Sequence, residues 1–186
     1  MGKSAITEDR QYLTFTLEDE VFAMDIDRVR EVLEFTSVTR VPRVPEYMRG
    51  VINLRGSVVP VVDLRLKFGM SKTEKKVNTC IIITEVSVEG ESVVLGALAD
   101  SVREVMDMEA KSIEAAPKIG TKLNTEFIKG MGRRDSEFVM ILDMDRVFSV
   151  DEVALARDMG TSGESQPAEM PQAKEPGGLA AGTPIS

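Results

Sequence analysis

The 186-residue chain contains no histidine. Its absence removes the commonest general base, the commonest nitrogen ligand for a metal, and every Ser–His or Cys–His nucleophile pair. The remaining side chains with chemical potential are few. Asp143 and Asp145 in "LDMD" could offer oxygen ligands to Mg²⁺, but Asp143 follows an apolar run and equally suits a helix N-cap. Cys80 sits in "TCIIIT", where a buried, reduced thiol is the plainer reading, and one cysteine cannot form an internal disulfide. A hydrolase built on paired carboxylates needs two acids across a cleft, whereas most acids here stand in turns or beside basic residues. Gly130-Met131-Gly132 is too short for a phosphate-binding loop, and neither GxxxxGK[ST] nor GxGxxG occurs. Catalysis is not expected, and neither is a metal or cofactor.

Binding is the remaining class. Net charge is −8, aromatics make up 5%, and there is no Trp, so the basic face and stacking platforms of a nucleic-acid binder are not expected. No run approaches the ~18 apolar residues of a membrane span. The opening "MGKSAITEDR" lacks a signal peptide's apolar stretch and the myristoylation pattern. These features point to the cytoplasm.

The sharpest candidate for recognition lies in "GVINLRGSVVPVVDLRLKFG", residues 50 to 69. Val and Ile flank a tight turn at Arg55-Gly56-Ser57, Asp63 caps a short helical segment, and Gly69 ends it. Arg55 is either a solvated hairpin tip or a recognition residue. Glu31 could lie on a neighbouring edge, where an exposed pair adds only about 0–1 kcal/mol but orients an arginine fork. Met24, Met106, Met131 and Met140 fall in apolar runs and read as core filling, with a Met-lined groove as the alternative.

Short Val-, Ile- and Phe-rich segments must position these residues: "YLTFTL", "VFAMDI", "VINL", "VVPVV", "TCIIITEVSV", "SVVLGALA" and "FVMIL". Turn material such as Glu18-Asp19-Glu20 and Glu89-Gly90-Glu91 separates them. An all-β barrel or sandwich fits that spacing, with Pro60 making its strand an edge or a bulged one. Ser149 and Glu152 form a capping box opening a short closing helix. Residues 1–10 read as a flexible N-terminus, 11–158 as the folded region, and 159–186, rich in Gly, Pro, Ser and Ala, as a disordered tail.

The folded region is duplicated. "VREVLE" at 29–34 recurs as "VREVMD" at 102–107, "PEYMRGV" at 45–51 as "TEFIKGM" at 125–131, and "VVPVVDLRLKF" at 58–68 as "FVMILDMDRVF" at 138–148. Two β units of one design, roughly 11–70 and 76–150, are expected to pack together, with exchange of elements between them left open. What both copies keep reads as scaffold. Pro45 and Thr125 start a helical turn that Gly50 and Gly130 end in the left-handed conformation, and Asp63 and Asp143 cap helices. "NLRGS" occurs only in the first copy, the second having "GRRDS", while Glu31 has a counterpart in Glu104.

"FTLEDEVFAMDIDRVREVLE" and "VTRVPRVPEYMRGVINLRGSVVPVVDLRLKFG" resemble the CheW family of bacterial chemotaxis coupling proteins, most specifically in "GVINLRGSVVPVVDLR". "LGALADSVREVMDM", "IEAAPKIGT" and "EFIKGMGRRDSEFVMILDMDRVFS" follow in the family's order. The resemblance runs from about Gln11 to Leu155. It implies a mainly β fold of two five-stranded SH3-like barrels sharing an apolar core, with short helices and a C-terminal helix. It implies a non-catalytic adaptor that couples methyl-accepting chemotaxis receptors, at their cytoplasmic tips, to the regulatory domain of the histidine kinase CheA. Such a protein would be a monomer in isolation, assembling with its partners into rings and arrays at the membrane. By the same resemblance Arg55 and Glu31, with Val29, Gly50 and Asn53, form the receptor and array coupling region. No receiver domain follows, against the CheV type, and no kinase ATP-binding region precedes, against CheA. A small-ligand carrier barrel and a metal-dependent enzyme using Asp pairs remain the alternative readings.

Overall fold

In the computed structural model, residues 6–116 and 125–169 are described, with side chains up to Gly160. Ten strands form two five-stranded antiparallel sheets, each with one parallel pairing. The strands are β1 (Arg10–Leu17), β2 (Glu20–Asp25), β3 (Val29–Glu34), β4 (Met48–Leu54), β5 (Ser57–Asp63), β6 (Cys80–Val88), β7 (Glu91–Ala99), β8 (Ser101–Met108), β9 (Ile128–Arg134) and β10 (Glu137–Leu142). Short helices α1 (Leu64–Lys67) and α2 (Met144–Val147) follow β5 and β10, and α3 spans Val150–Glu169.

One sheet has the order β8-β1-β2-β10-β9 and the other β3-β6-β7-β5-β4. The stretches 11–70 and 76–150 are therefore the two sequence repeats but not the two sheets. Each repeat contributes a hairpin (β1–β2 or β6–β7) to one sheet and its next three strands to the other. The exchange follows from two crossovers, at 26–28 and at Asp100, where the chain leaves a hairpin and enters the opposite sheet.

Register confirms the duplication. Bulges fall between Met48 and Gly50 in β4 and between Ile128 and Gly130 in β9. Isolated bridges join Thr39 to Val51 and Glu114 to Met131.

Alternation explains why the strands read as nearly continuous apolar runs, since both faces are buried. One face fills its own small barrel: Tyr12, Val21, Ala23, Val139 and Ile141 in the first, Ile52, Val59, Val61, Ile81 and Ile83 in the second. The other face, with Leu13, Phe15, Phe22, Met24, Val62, Ile82 and Leu95, meets α2 and α3 in one core shared by the two barrels. Met24 and Met140 lie in that core, and Met106 and Met131 are half-buried against the apolar clusters, consistent with the core-filling reading.

Four expectations change. Pro60 is in neither an edge strand nor a bulge: β5 lies between β4 and β7, but β7 pairs only with Val61–Asp63. The missing N–H of Pro60 therefore falls beyond that pairing, and α3 packs against β5. The N-terminus is ordered from Ile6, which packs on the first barrel's cluster, and Asp9 accepts a hydrogen bond from the Ala110 N–H at 2.8 Å. The closing helix is not short. The capping box forms reciprocally, Ser149 N to Glu152 Oε1 at 2.8 Å and Glu152 N to Ser149 Oγ at 3.2 Å, and the helix continues to Glu169. Val153, Ala156 and Met159 recur every three residues and are buried, which carries the helix past the expected boundary at 158. Residues 170–186 lie outside the described residues.

Gly50 is the fourth. It ends no helical turn; it stands inside β4 with φ +141°, and a Cβ there would lie 2.0 Å from the Thr39 carbonyl oxygen. The Thr39–Val51 bridge, with N–H···O distances of 2.8 Å both ways, needs a residue without a side chain.

Candidate functional site

The β4–β5 loop is two residues long, because Leu54 pairs with Ser57. Arg55 has φ +51° and Gly56 φ +88°, the primed turn whose twist matches that of the flanking strands. Asn53 locks it by accepting the Gly56 N–H on Oδ1 at 3.0 Å. Arginine in a left-handed position costs on the order of 1 kcal/mol. In return, the turn projects the guanidinium from the end of the second barrel.

Arg55 donates to Glu31 Oε2 on β3; the arginine is 69% exposed and the glutamate 29%. A bulge at Arg30 separates Val29, which packs on the shared core, from Leu33, which packs on the second barrel's cluster. It thus sets the orientation of the Glu31 segment. Arg55, Glu31 and Asn53 therefore meet at one tip, with Val29 two residues away. Gly50 lies at the other end of β4, about 16 Å off at the usual strand rise.

Sequence reasoning missed the third wall of this region. A groove of about 490 Å³ runs from Glu31 and Arg55 past Val58 to Ala156 and Gly160 of α3. A Cβ on Gly160 would lie 3.2 Å from the Val58 carbonyl oxygen, so a small residue lets the helix approach. The Ala156/Gly160 spacing of four was the available signal. The helix is anchored by Glu152, which accepts from Tyr47 Oη and, at 2.7 Å, from Lys67 Nζ. Burial alone would raise the Glu152 carboxyl; hydrogen bonds from Lys67, Tyr47 and the Ser149 N–H outweigh it and lower the pKa.

The other barrel carries a related pair that the sequence comparison overlooked. Glu104 pairs with Arg134, one residue before Asp135, the position matching Arg55. Phe138 is 53% exposed beside it, and the Arg133 guanidinium lies 4.9 Å from the ring centroid.

The residues weighed for chemistry are engaged elsewhere. Asp143 caps α2 through the Asp145 N–H, and Asp145 accepts from Arg28 and from the Ser87 N–H at 2.8 Å. Burial, then Asp100, pushes the Cys80 thiol up to about 11, away from thiolate reactivity. Among the described residues no group of three His, Cys, Asp or Glu side chains could hold a metal ion, and no helix is long and apolar enough to cross a membrane.

Two curled five-stranded sheets with an arginine-tipped hairpin define a class, and comparison identifies it. Residues 11–152 match the CheW-like domain family. The chain is 33% identical to a chemotaxis protein CheW of Klebsiella aerogenes over 84% of its own length and 92% of the relative's. It is 32% identical to a probable chemotaxis protein CheW of Rhizobium etli, over 81% and 94%. The crystal structure of the scaffolding protein TtCheW from Thermoanaerobacter tengcongensis superposes with TM-score 0.68 at 33% identity, covering 80% of this chain and 93% of that one. The chain belongs to the CheW family.

Proposed function

We propose that this protein is a non-catalytic chemotaxis scaffold that joins the cytoplasmic tips of methyl-accepting receptors to the regulatory domain of the kinase CheA. Family membership supports the scaffold role. The observation that carries the residue assignment is the Arg55–Glu31 pair, built on a strained turn with its guanidinium mostly exposed and its carboxylate partly buried. A pair whose guanidinium stands so open to water contributes little stability, so its fixed geometry is better explained by directional recognition of a partner. Val29 and Asn53 position the two charges, and Gly50 keeps β4 against Thr39. The protein is cytoplasmic, monomeric by itself, and joins rings and arrays through many weak contacts acting together.

Pull-down with receptor signalling fragments and with the CheA regulatory domain tests this reading. Wild-type protein retains both; Arg55→Ala weakens retention about tenfold, or 1.4 kcal/mol, with an unchanged melting temperature. Failure of the wild type to retain either partner overturns the scaffold role. An Arg55→Ala chain that unfolds makes the arginine structural instead.

A further inference from the structure

A second groove, of about 650 Å³, lies under the loop joining β3 to β4, away from the Arg55 tip. Arg40, Arg43 and Lys72 line it, with Glu46 as the one acidic lining residue. Most described basic side chains are paired with acids, but none of these three has a carboxylate within 4 Å among the described residues. In a chain of net charge −8, this is a concentrated positive field. Between the charges the walls are apolar: Val38, Val41 and Pro42.

The groove is built rather than incidental. Arg43 is held at φ +63° next to Pro42, a strained placement for a charged residue with no internal partner. Arg49, at the edge of the groove, is fixed by Asp63 Oδ2 at 2.9 Å and by the Thr73 carbonyl at 3.2 Å. Thr73 in turn donates to Asp63 from its N–H at 3.0 Å and its hydroxyl at 2.7 Å. The fully buried Asp63 thus ties the segment carrying Lys72 to Arg49 of β4, and its N–H reaches the Tyr47 carbonyl at the end of the β3–β4 loop. The second repeat supplies a control. Aligned on the matching bridges, Thr39-Arg40-Val41 corresponds to Glu114-Ala115-Ala116, so Arg40 is not needed to build the connection.

We propose that this groove binds a short acidic peptide segment of a protein partner, its carboxylates held by Arg40, Arg43 and Lys72 and an intervening apolar side chain seated on Val38 and Val41. Arginine forks match carboxylates, and a loop stiffened by prolines loses little entropy on binding. A long polyanion is disfavoured because the chain's net negative charge repels it.

Fluorescence polarisation with a labelled octapeptide alternating glutamate and valine tests the proposal without receptor or kinase, so its failure leaves the scaffold reading standing. Saturable binding in low salt that weakens as salt rises, and weakens at least about tenfold in the Arg40→Glu/Arg43→Glu variant, supports it. Arg133→Glu, a charge reversal on the other barrel, leaves binding unchanged. Lys72→Glu, on a separate segment, decides the matter should the double variant fail to fold. No saturable binding, equal binding by the groove variants, or tighter binding of an eight-residue oligothymidylate overturns the proposal.

Discussion

The two repeats fold by one plan and are wired with opposite charges. In the first, position 65 of α1 is arginine, donating to both oxygens of Asp100 at 3.0 Å, and Asp100 sits on the crossover between β7 and β8. In the second, the matching position in α2 is Asp145, which accepts from Arg28 on the crossover between β2 and β3. Each clamp ties a crossover to a helix, and both bridge the sheets: Arg65 also reaches Glu18 of the first barrel at 3.2 Å, and Asp145 the Ser87 N–H of the second at 2.8 Å. Backbone features agree between the copies to the residue. Asp63 N donates to Tyr47 O at 2.7 Å, and Asp143 N to Phe127 O at 2.8 Å. The difference teaches that the strand plan fixes where a crossover must be held, while the sign of the charge holding it is free as long as the pair is complementary.

The comparison breaks most readily at the helix-capping aspartates. Asp63 is fully buried and satisfies Arg49, Thr73 and the Leu66 N–H, whereas the Asp143 side chain is 22% exposed and caps the Asp145 N–H. Urea denaturation should show Asp63→Ala costing about 3 kcal/mol, because it leaves a partly buried arginine without its partner. Asp143→Ala should cost about 1 kcal/mol, the value of a lost cap. Equal losses would mean that the repeats are energetically interchangeable.

A smaller difference is expected at the clamps. Arg65→Ala, which removes a largely buried guanidinium, should cost about 2 kcal/mol, and Asp145→Ala about 1 kcal/mol. Exchanging the second clamp, Arg28→Asp with Asp145→Arg, gives it the polarity of the first. The double variant should recover more than half of the summed single losses in a double-mutant cycle; no recovery would show that sign is specified after all.

The smallest effect belongs to α3, which the repeats do not share. Glu152 has a lowered pKa, so its contribution is complete above the ordinary carboxylate value near 4.3 and is lost as pH falls through the lowered folded value. Glu152→Gln should cost about 1 kcal/mol at pH 7 and flatten stability between pH 5 and 3 in denaturation series. An acid limb identical to wild type would remove Glu152 from the helix anchor.

Local features were legible wherever the signal is itself local. The hairpin at Arg55-Gly56, the caps at Asp63 and Asp143, and the Ser149–Glu152 box each rest on a few adjacent residues. The exchange of strands could be raised but not decided, because β1–β2 and β6–β7 have similar patterns and only the crossovers decide which sheet each joins. Gly50 was misread for a related reason: its constraint is the Thr39 carbonyl, eleven positions away. Glu104–Arg134 escaped although setting "GRRDS" against "NLRGS" places Arg134 opposite Arg55 and Glu104 opposite Glu31, because the two turns were compared for their differences and not for a shared pair. The Arg55–Glu31 pair was anticipated, but the α3 wall beside it was hidden in a segment whose glycines and serines resemble a tail.

The exchanged hairpins also give the protein a direction in time. As the chain leaves the ribosome, β1–β2 is made before the other eight strands described, yet its sheet stays open until β10 has followed. At ordinary synthesis rates that delay is roughly 6–25 s. Until then the hairpin's apolar faces, Phe15 and Phe22 among them, have no finished sheet to enter. The barrels close in the reverse of the order in which they begin: the second has all its strands once β7 ends at Ala99, and the first, begun earlier, waits until β10 ends at Leu142.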